Sequence, residues 1–316
     1  MRERFSISAD AYRRVTYVAL AALAGIVLTG AAVRLTGSGL GCPDWPRCYG
    51  GTVPPLEYHA VIEYGNRLLT GFVGLAVIAA SVLAFFRRPY RWHLALFGAF
   101  LPVGVIAQAA LGALVVKHHL APELVMGHFI LSMVLLDAAF ALAWCSTYEP
   151  RERAFAADRL GVWAVRALLP LGQLTIIAGT MTTGSGPHAG DHEGELVQRF
   201  DFQGTATLEW MVQRHSALAA IFGLAAVAVW FLLRRQGGER RALRPLSVVI
   251  ALLALQGAIG GIQWATELPA GVVWVHILVA TLTWLAMLWT VAAAGRLEPR
   301  RAAAPAARLP ERVGAT

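Results

Sequence analysis

The sequence predicts an all-α integral membrane protein whose eight transmembrane helices form two pseudo-symmetric four-helix bundles. Hydrophobic residues make up 57% of the 316 positions and charged residues only 15%, which is too apolar for a soluble domain of this length. Apolar runs of about 20 residues recur, and a helix of that length crosses a hydrocarbon core of about 30 Å. A set of residues in the first half also returns in the second half, at an offset of 147 or 148 residues.

Eight apolar runs are the predicted membrane spans. They cover residues 15–35, 60–85, 94–116, 123–144, 161–181, 208–233, 245–264 and 271–294. Helices are favoured over the strands of a barrel, because barrel strands alternate in polarity over about 10 residues. The first run has a counterpart deep inside the chain, at 161–181. We therefore expect it to be a retained span and not a signal peptide.

Arginine residues are concentrated in alternate loops and in the tail that starts at Arg296, whereas the intervening loops hold few basic residues. The positive-inside rule then predicts a multi-pass protein of the cell membrane with both termini in the cytoplasm. The net charge of +8 comes from these loops, so it does not indicate nucleic acid as a partner.

This topology divides the chain into five segments. We expect a cytoplasmic segment at 1–14, a four-helix bundle at 15–145, a cytoplasmic linker at 146–160, a second bundle at 161–294 and a disordered cytoplasmic tail at 295–316.

The internal repeat includes histidines. The matching residues are Gln108, Gly112, Pro122 and His128 in the first half and Gln256, Gly260, Pro269 and His276 in the second, and the Thr-Gly-Ser-Gly sequence at 36–39 returns at 183–186. Because the histidine is repeated with its surroundings, the pattern favours paired cofactor sites over a single histidine site.

In the second half, His215 and His276 begin the sixth and eighth spans at similar depth. These two spans are parallel, so both imidazoles can face one bundle interior and occupy the two axial positions of a haem iron. The alternative is that each histidine bonds a neighbouring helix. Arg214 is a candidate partner for a haem propionate, or a side chain that extends to the membrane interface.

The first half has a different residue at one of these positions. His128 corresponds to His276, but the position that matches His215 holds Asn66, and an asparagine is a poor iron ligand. His59 is an alternative second ligand.

Glu63 and Arg67 lie four residues apart and therefore share a helix face. They form either a structural ion pair or a carboxylate site for proton transfer beside a weakly held or five-coordinate haem. The preceding outer loop contains Cys42 and Cys48, which favour a disulfide bridge over a metal pair. The bridge either stiffens the loop or is redox-active.

These residues resemble the haem A synthase family, membrane enzymes that convert haem O to haem A for terminal oxidases. The resemblance covers about residues 15–294. It rests on the 36–39 sequence, the cysteine-bounded loop with Pro43, Asp44, Trp45 and Pro46, the Glu63, Tyr64 and Arg67 group, and the histidines at 128, 215 and 276.

The resemblance implies that His215 and His276 hold haem b in the second bundle. It also implies that the first bundle binds haem O, with His128 as an iron ligand and Glu63 as the essential acid, and we expect Arg67, Asn66 and Arg214 to contact the cofactors. Many family members have a second histidine where this chain has Asn66.

The implied activity is an oxidoreductase reaction, in which successive hydroxylations and loss of water turn a ring methyl into a formyl group. The implied partners are haem O, haem b, haem O synthase and membrane lipid.

Two alternatives remain at this stage. One is a dihaem b-type electron-transfer protein linked to quinone. The other is a transporter, for which Asp137 in the fourth span is either a transport residue or a hydrogen-bond partner of a neighbouring helix.

Overall fold

A computed structural model describes residues 6–149, 152, 155–156, 158–190, 197–235 and 240–297 of the chain. The tail from residue 298 onward and part of the predicted linker at 146–160 lie outside the described residues.

The described chain contains eight helices that are long and apolar enough to cross a membrane. They are α1 (Ala9–Leu35), α2 (Tyr58–Ala84), α3 (Trp92–Lys117), α4 (Pro122–Thr147), α5 (Arg159–Ser185), α6 (Thr207–Arg235), α7 (Arg240–Ala265) and α8 (Ala270–Ala294). Two short strands, β1 (Ile7–Ser8) and β2 (Arg87–Arg88), pair in parallel. The predicted fold class, an all-α membrane protein with eight spans, is confirmed.

Some helices are longer than the predicted apolar runs. They extend at ends where polar side chains bond the free main-chain groups. At the start of α1, the Ser8 side chain accepts a hydrogen bond from the Ala11 main-chain N–H at 3.1 Å. Asp10 in the first turn forms ion pairs with Arg13 and Arg14. Capping and these charges account for a start at Ala9, six residues before the predicted span.

The eight helices form two groups of four. Consecutive helices pack together in each group, and α1 closes the first group against α4 as α5 closes the second against α8. The groups meet where α1 packs on α8 and α4 packs on α5, with a further contact between α4 and α8. Exchanging the two halves converts the first of these contacts into the second, so the interface has the pseudo-two-fold symmetry that the repeat predicts.

Among the described residues, three hydrogen bonds donated by side chains join helices across this interface. The indole nitrogen of Trp284 donates to Asp137 Oδ1 at 2.6 Å, and the indole nitrogen of Trp274 donates to the Leu28 carbonyl at 3.0 Å. Nη2 of Arg34 donates to the Thr183 carbonyl at 2.9 Å. Such bonds hold helices together where apolar packing alone gives little specificity. The bond from Trp284 matches one of the two predicted roles of Asp137, a hydrogen bond to a neighbouring helix.

At one end of the molecule the two groups carry long connections. We call the segment 39–52 the disulfide loop. It adjoins the loop that contains Gly190, whose carbonyl accepts a hydrogen bond from the Gly39 N–H at 3.0 Å. Leu120, between α3 and α4, packs against Ala189 and Val197 from the second group. The connections therefore join the two groups at the end where the histidines lie.

Candidate functional site

The second group of helices brings His215 and His276 together. Their ring centroids are 6.3 Å apart. His215 Nδ1 lies 3.1 Å from the Thr175 carbonyl oxygen on α5. A carbonyl only accepts hydrogen bonds, so Nδ1 carries the proton and Nε2 keeps its lone pair. An imidazole oriented in this way is ready to bind a metal through Nε2.

The spacing of the two rings fits one axially ligated iron. A metal–imidazole bond is about 2 Å long. Two such bonds use about 4 Å of the 6.3 Å between the centroids, and the ring radii account for the remainder. The adjacent helix leaves room for the rings, because a Cβ atom added at Gly179 would lie only 3.0 Å from His215 Cε1. The residues present therefore fit a bis-histidine haem.

A repeated glutamine supports one histidine in each half. Nε2 of Gln256 donates to the His276 main-chain carbonyl at 3.1 Å, and Nε2 of Gln108 donates to the His128 carbonyl at 3.0 Å. Gln108 also bonds the Ser132 hydroxyl at 2.5 Å. The sequence repeat contained these glutamines, but it did not indicate what they do.

The same two kinds of buried polar atom, a histidine Nδ1 and a glutamine Oε1, lack a hydrogen-bond partner in each half of the described chain. They are His128 Nδ1, His276 Nδ1, Gln108 Oε1 and Gln256 Oε1. An amide oxygen accepts and an Nδ1–H donates, so each glutamine offers the complementary group to its histidine. Iron bound at the other ring nitrogen would leave the proton on Nδ1, which would then need an acceptor.

Asn66 lies against α1, as His215 lies against α5. Its Oδ1 accepts a hydrogen bond from the Thr29 hydroxyl at 2.7 Å. Asn66 also lines an open groove of about 520 Å³ between α1 and α2. Among the described residues no hydrogen bond joins Asn66 to His128. Nδ1 of His59, the alternative ligand, lies 3.0 Å from the Ser38 hydroxyl beside the disulfide loop.

Glu63 and Arg67 form an ion pair beneath the disulfide loop. Glu63 is only 6% exposed, and its Oε2 accepts a hydrogen bond from the Cys42 N–H at 2.7 Å, while Oε1 accepts from Arg67 Nη2. Arg67 Nη1 donates to the main-chain carbonyls of Asp44 and Arg47, each at 2.9 Å. The charges are therefore compensated, as a buried pair must be, and the pair fastens the loop to α2.

The predicted bridge between Cys42 and Cys48 is present, and both residues are fully buried. They pack on Ala60 and Tyr64 at the start of α2. Gly41 lets the loop approach closely, because a Cβ there would overlap the main chain of His59. The Tyr64 hydroxyl adds a further tie by donating to the Thr52 carbonyl at 2.6 Å. The loop is thus a fixed cover over Glu63.

Arg214, which precedes His215, is folded back along α6. Its Cζ lies 3.5 Å from the centroid of the Trp210 ring, and its Nη1 donates to the Trp210 carbonyl at 2.9 Å. Cation–π contact of this kind holds a guanidinium in place at the edge of a bundle. The predicted contact with a haem propionate stays a prediction.

Comparison with known proteins identifies the family. A family model named COX15-CtaA, described as a cytochrome oxidase assembly protein, matches residues 13–61 and 55–192. The chain belongs to the COX15-CtaA family. The predicted resemblance is thereby confirmed, and the family match includes Cys42, Cys48, Glu63, Arg67 and His128.

Several curated proteins similar to this COX15-CtaA member are named "Heme A synthase". The one from Lysinibacillus sphaericus (strain C3-41) is 26% identical over 288 residues, which cover 85% of this chain and 92% of that protein. The one from Symbiobacterium thermophilum is 36% identical over 148 residues, covering 46% of this chain and 47% of that protein. The one from Geobacillus kaustophilus is 31% identical over 150 residues, covering 46% of this chain and 45% of that protein.

Proposed function

We propose that this COX15-CtaA family member is a haem A synthase, an oxidoreductase that converts a ring methyl of haem O to the formyl group of haem A for cytochrome oxidase. The observation that carries the proposal is the combination of two sites in one chain. A buried carboxylate, Glu63, lies under a fixed loop in the first bundle, and a facing imidazole pair, His215 and His276, lies in the second.

The proposal assigns one haem to each bundle. His215 and His276 hold haem b in the bundle at 161–294, and His128 is an iron ligand of haem O in the bundle at 15–145. Iron porphyrin supplies the redox chemistry, since no amino-acid side chain oxidises a methyl group on an aromatic ring. Asn66, Arg67 and Arg214 are the proposed polar contacts to the two cofactors.

Glu63 is proposed to hold or move a proton near the reacting edge of the substrate. Both of its oxygens are occupied, one by the Cys42 N–H and the other by Arg67. A proton on Glu63 would remove the charge that Arg67 compensates, and Arg67 also holds the loop carbonyls, so proton transfer is coupled to the disulfide loop. The loop also keeps water from this carboxylate, which strengthens its interactions.

We also propose the orientation that the arginine distribution predicts, with both termini in the cytoplasm. The disulfide loop then faces the outer side, where a disulfide persists. Haem O synthase, which supplies the substrate, is the proposed partner.

The function is tested by expressing the full chain in a host that makes haem O but has no haem A synthase of its own. Haem extracted from the membranes is then analysed by mass spectrometry, with membranes from the untransformed host as control. Formylated haem is the expected product. A quinone-linked dihaem protein would bind haem without forming it, and a transporter would purify without a haem spectrum, so either result contradicts the proposal.

Replacing Gln256 by leucine is expected to weaken haem b binding about 10- to 100-fold, the range typical of an outer-shell partner of a metal-bound histidine. The change removes the donor to the His276 carbonyl and the buried amide oxygen. Haem titration and redox titration of the purified protein measure affinity and midpoint potential.

Gln108→Leu is the matched variant in the first bundle and should alter only the other haem. Gln213→Leu is the control, because Gln213 bonds Glu209 on the exposed face of α6. If Gln256→Leu and Gln108→Leu leave both haems unchanged, as the control does, the glutamines do not position the histidines.

A further inference from the structure

The two halves of the protein diverge where the second iron ligand is expected. His215 in the second half lies against α5, and its Nδ1 donates to the Thr175 carbonyl. Asn66 lies against the matching stretch of α1, where its Oδ1 accepts from Thr29. At the repeat offset of 147 residues, Thr175 corresponds to Leu28, the neighbour of Thr29. Asn66 thus occupies the place of His215 without its ability to bind iron.

The carbonyl that orients the imidazole in the second half has another partner in the first. The Leu28 carbonyl accepts a hydrogen bond from the indole nitrogen of Trp274, which reaches across the interface from α8. A histidine at position 66 would share this carbonyl with Trp274. The first half therefore has no histidine at position 66, and the Leu28 carbonyl that would orient such a histidine already accepts a hydrogen bond from Trp274.

The side chain of Asn66 is held in one orientation. Thr29 donates to Oδ1 at 2.7 Å, so the Nδ2 group, with its two N–H donors, is directed away from Thr29. Asn66 lines an open groove of about 520 Å³ between α1 and α2. Apart from Asn66 and Thr29, the residues that line this groove are alanine, glycine, valine, leucine and isoleucine. A hydrogen bond donated by the amide in such apolar surroundings is stronger than the same bond in water.

We propose that the haem in the first bundle takes His128 as its single protein ligand, and that Asn66, positioned by Thr29, donates a hydrogen bond to a small oxygen-containing or diatomic ligand on the opposite face of that haem. The second bundle, with two histidines, is closed to such ligands. This inference rests on the proposed binding of haem in the first bundle. It adds the ligation state of that haem and the class of molecule that its free face accepts.

Carbon monoxide is a suitable probe of this face. The full-length protein is loaded with iron protoporphyrin in both bundles, reduced, and titrated with carbon monoxide. We expect one carbon monoxide bound per chain, and His128→Ala should remove the haem that binds it. Asn66→His should abolish carbon monoxide binding and convert this haem to a six-coordinate, low-spin state, seen by electronic absorption and electron paramagnetic resonance.

Asn66→Leu tests the hydrogen bond itself. Loss of the donor should raise the C–O stretching frequency and speed dissociation of carbon monoxide about two- to tenfold, as expected for one neutral hydrogen bond. Thr29→Val releases the amide and should change the frequency in the same direction by less. Thr70→Val is the matched control: the Thr70 hydroxyl bonds the Asn66 main-chain carbonyl and not the side-chain amide, so the frequency should not change.

The possible failures are distinguishable. If two haems bind and neither binds carbon monoxide, or if Asn66→Leu leaves the stretching frequency unchanged, the inference is wrong and the proposed function stands. If the chain holds only the haem of His215 and His276, the proposed site for haem O is wrong, and the inference with it.

Discussion

The Glu63→Gln variant will form formylated haem at least about 100-fold more slowly than the wild type, while haem b stays bound. Glutamine keeps an amide oxygen that can accept from the Cys42 N–H, but it has no charge and cannot take up a proton. The rate of haem A formation in membranes supplied with haem O measures the effect. The absorption spectrum of the purified variant reports haem b.

A control for the disulfide loop is needed, because Glu63 also fastens it. Tyr64→Phe removes another tie, the bond from the tyrosine hydroxyl to the Thr52 carbonyl, without changing any charge. We expect this variant to keep most of the activity. If Glu63→Gln is as active as Tyr64→Phe, Glu63 has a structural role and does not handle protons.

The His276→Ala variant will lose haem b, and haem A formation will stop with it. His215 alone cannot supply both axial ligands, so the loss should exceed the 10- to 100-fold change typical of an outer-shell partner. Haem content, measured as the pyridine complex of the purified protein, and the low-spin electron paramagnetic resonance signal are the readouts.

His128→Ala should keep the low-spin signal and still lose haem A formation, since it affects only the first bundle. His188→Ala is the control, because His188 lies at the same end of the molecule and bonds the Leu268 carbonyl through Nε2 at 2.7 Å. If His276→Ala retains a full complement of low-spin haem, the facing imidazoles do not bind haem b.

The sequence was sufficient for the fold because apolar length determines a membrane span. All eight predicted spans correspond to observed helices, and the differences lie at their ends. The start of α1 at Ala9 depends on capping by Ser8 and on the charges of Asp10, Arg13 and Arg14, none of which is apolar. Hydropathy cannot locate an end that polar groups determine.

The site was predictable where helical periodicity or the repeat fixed the geometry. Parallel helices place His215 beside His276, and a spacing of four residues places Glu63 beside Arg67. The bonds from Arg67 to the carbonyls of Asp44 and Arg47 were not predictable, because they depend on how an irregular loop folds over α2. Likewise, the repeat marked Gln256 but could not indicate which atom it contacts.

The contact between α1 and α8 and the contact between α4 and α5 are related to each other by the pseudo-two-fold symmetry of the repeat. An interface with this symmetry is self-complementary, so a single four-helix unit could use it to form a dimer with a copy of itself. In such a dimer each subunit must keep both members of every bonded pair. In one polypeptide the two halves are free to differ. Asp137 and Trp284 bond across the interface, while the symmetry-related positions hold Leu285 and Leu136. The two bundles can therefore carry different residues at matching positions, as they do with His215 in the second half and Asn66 in the first.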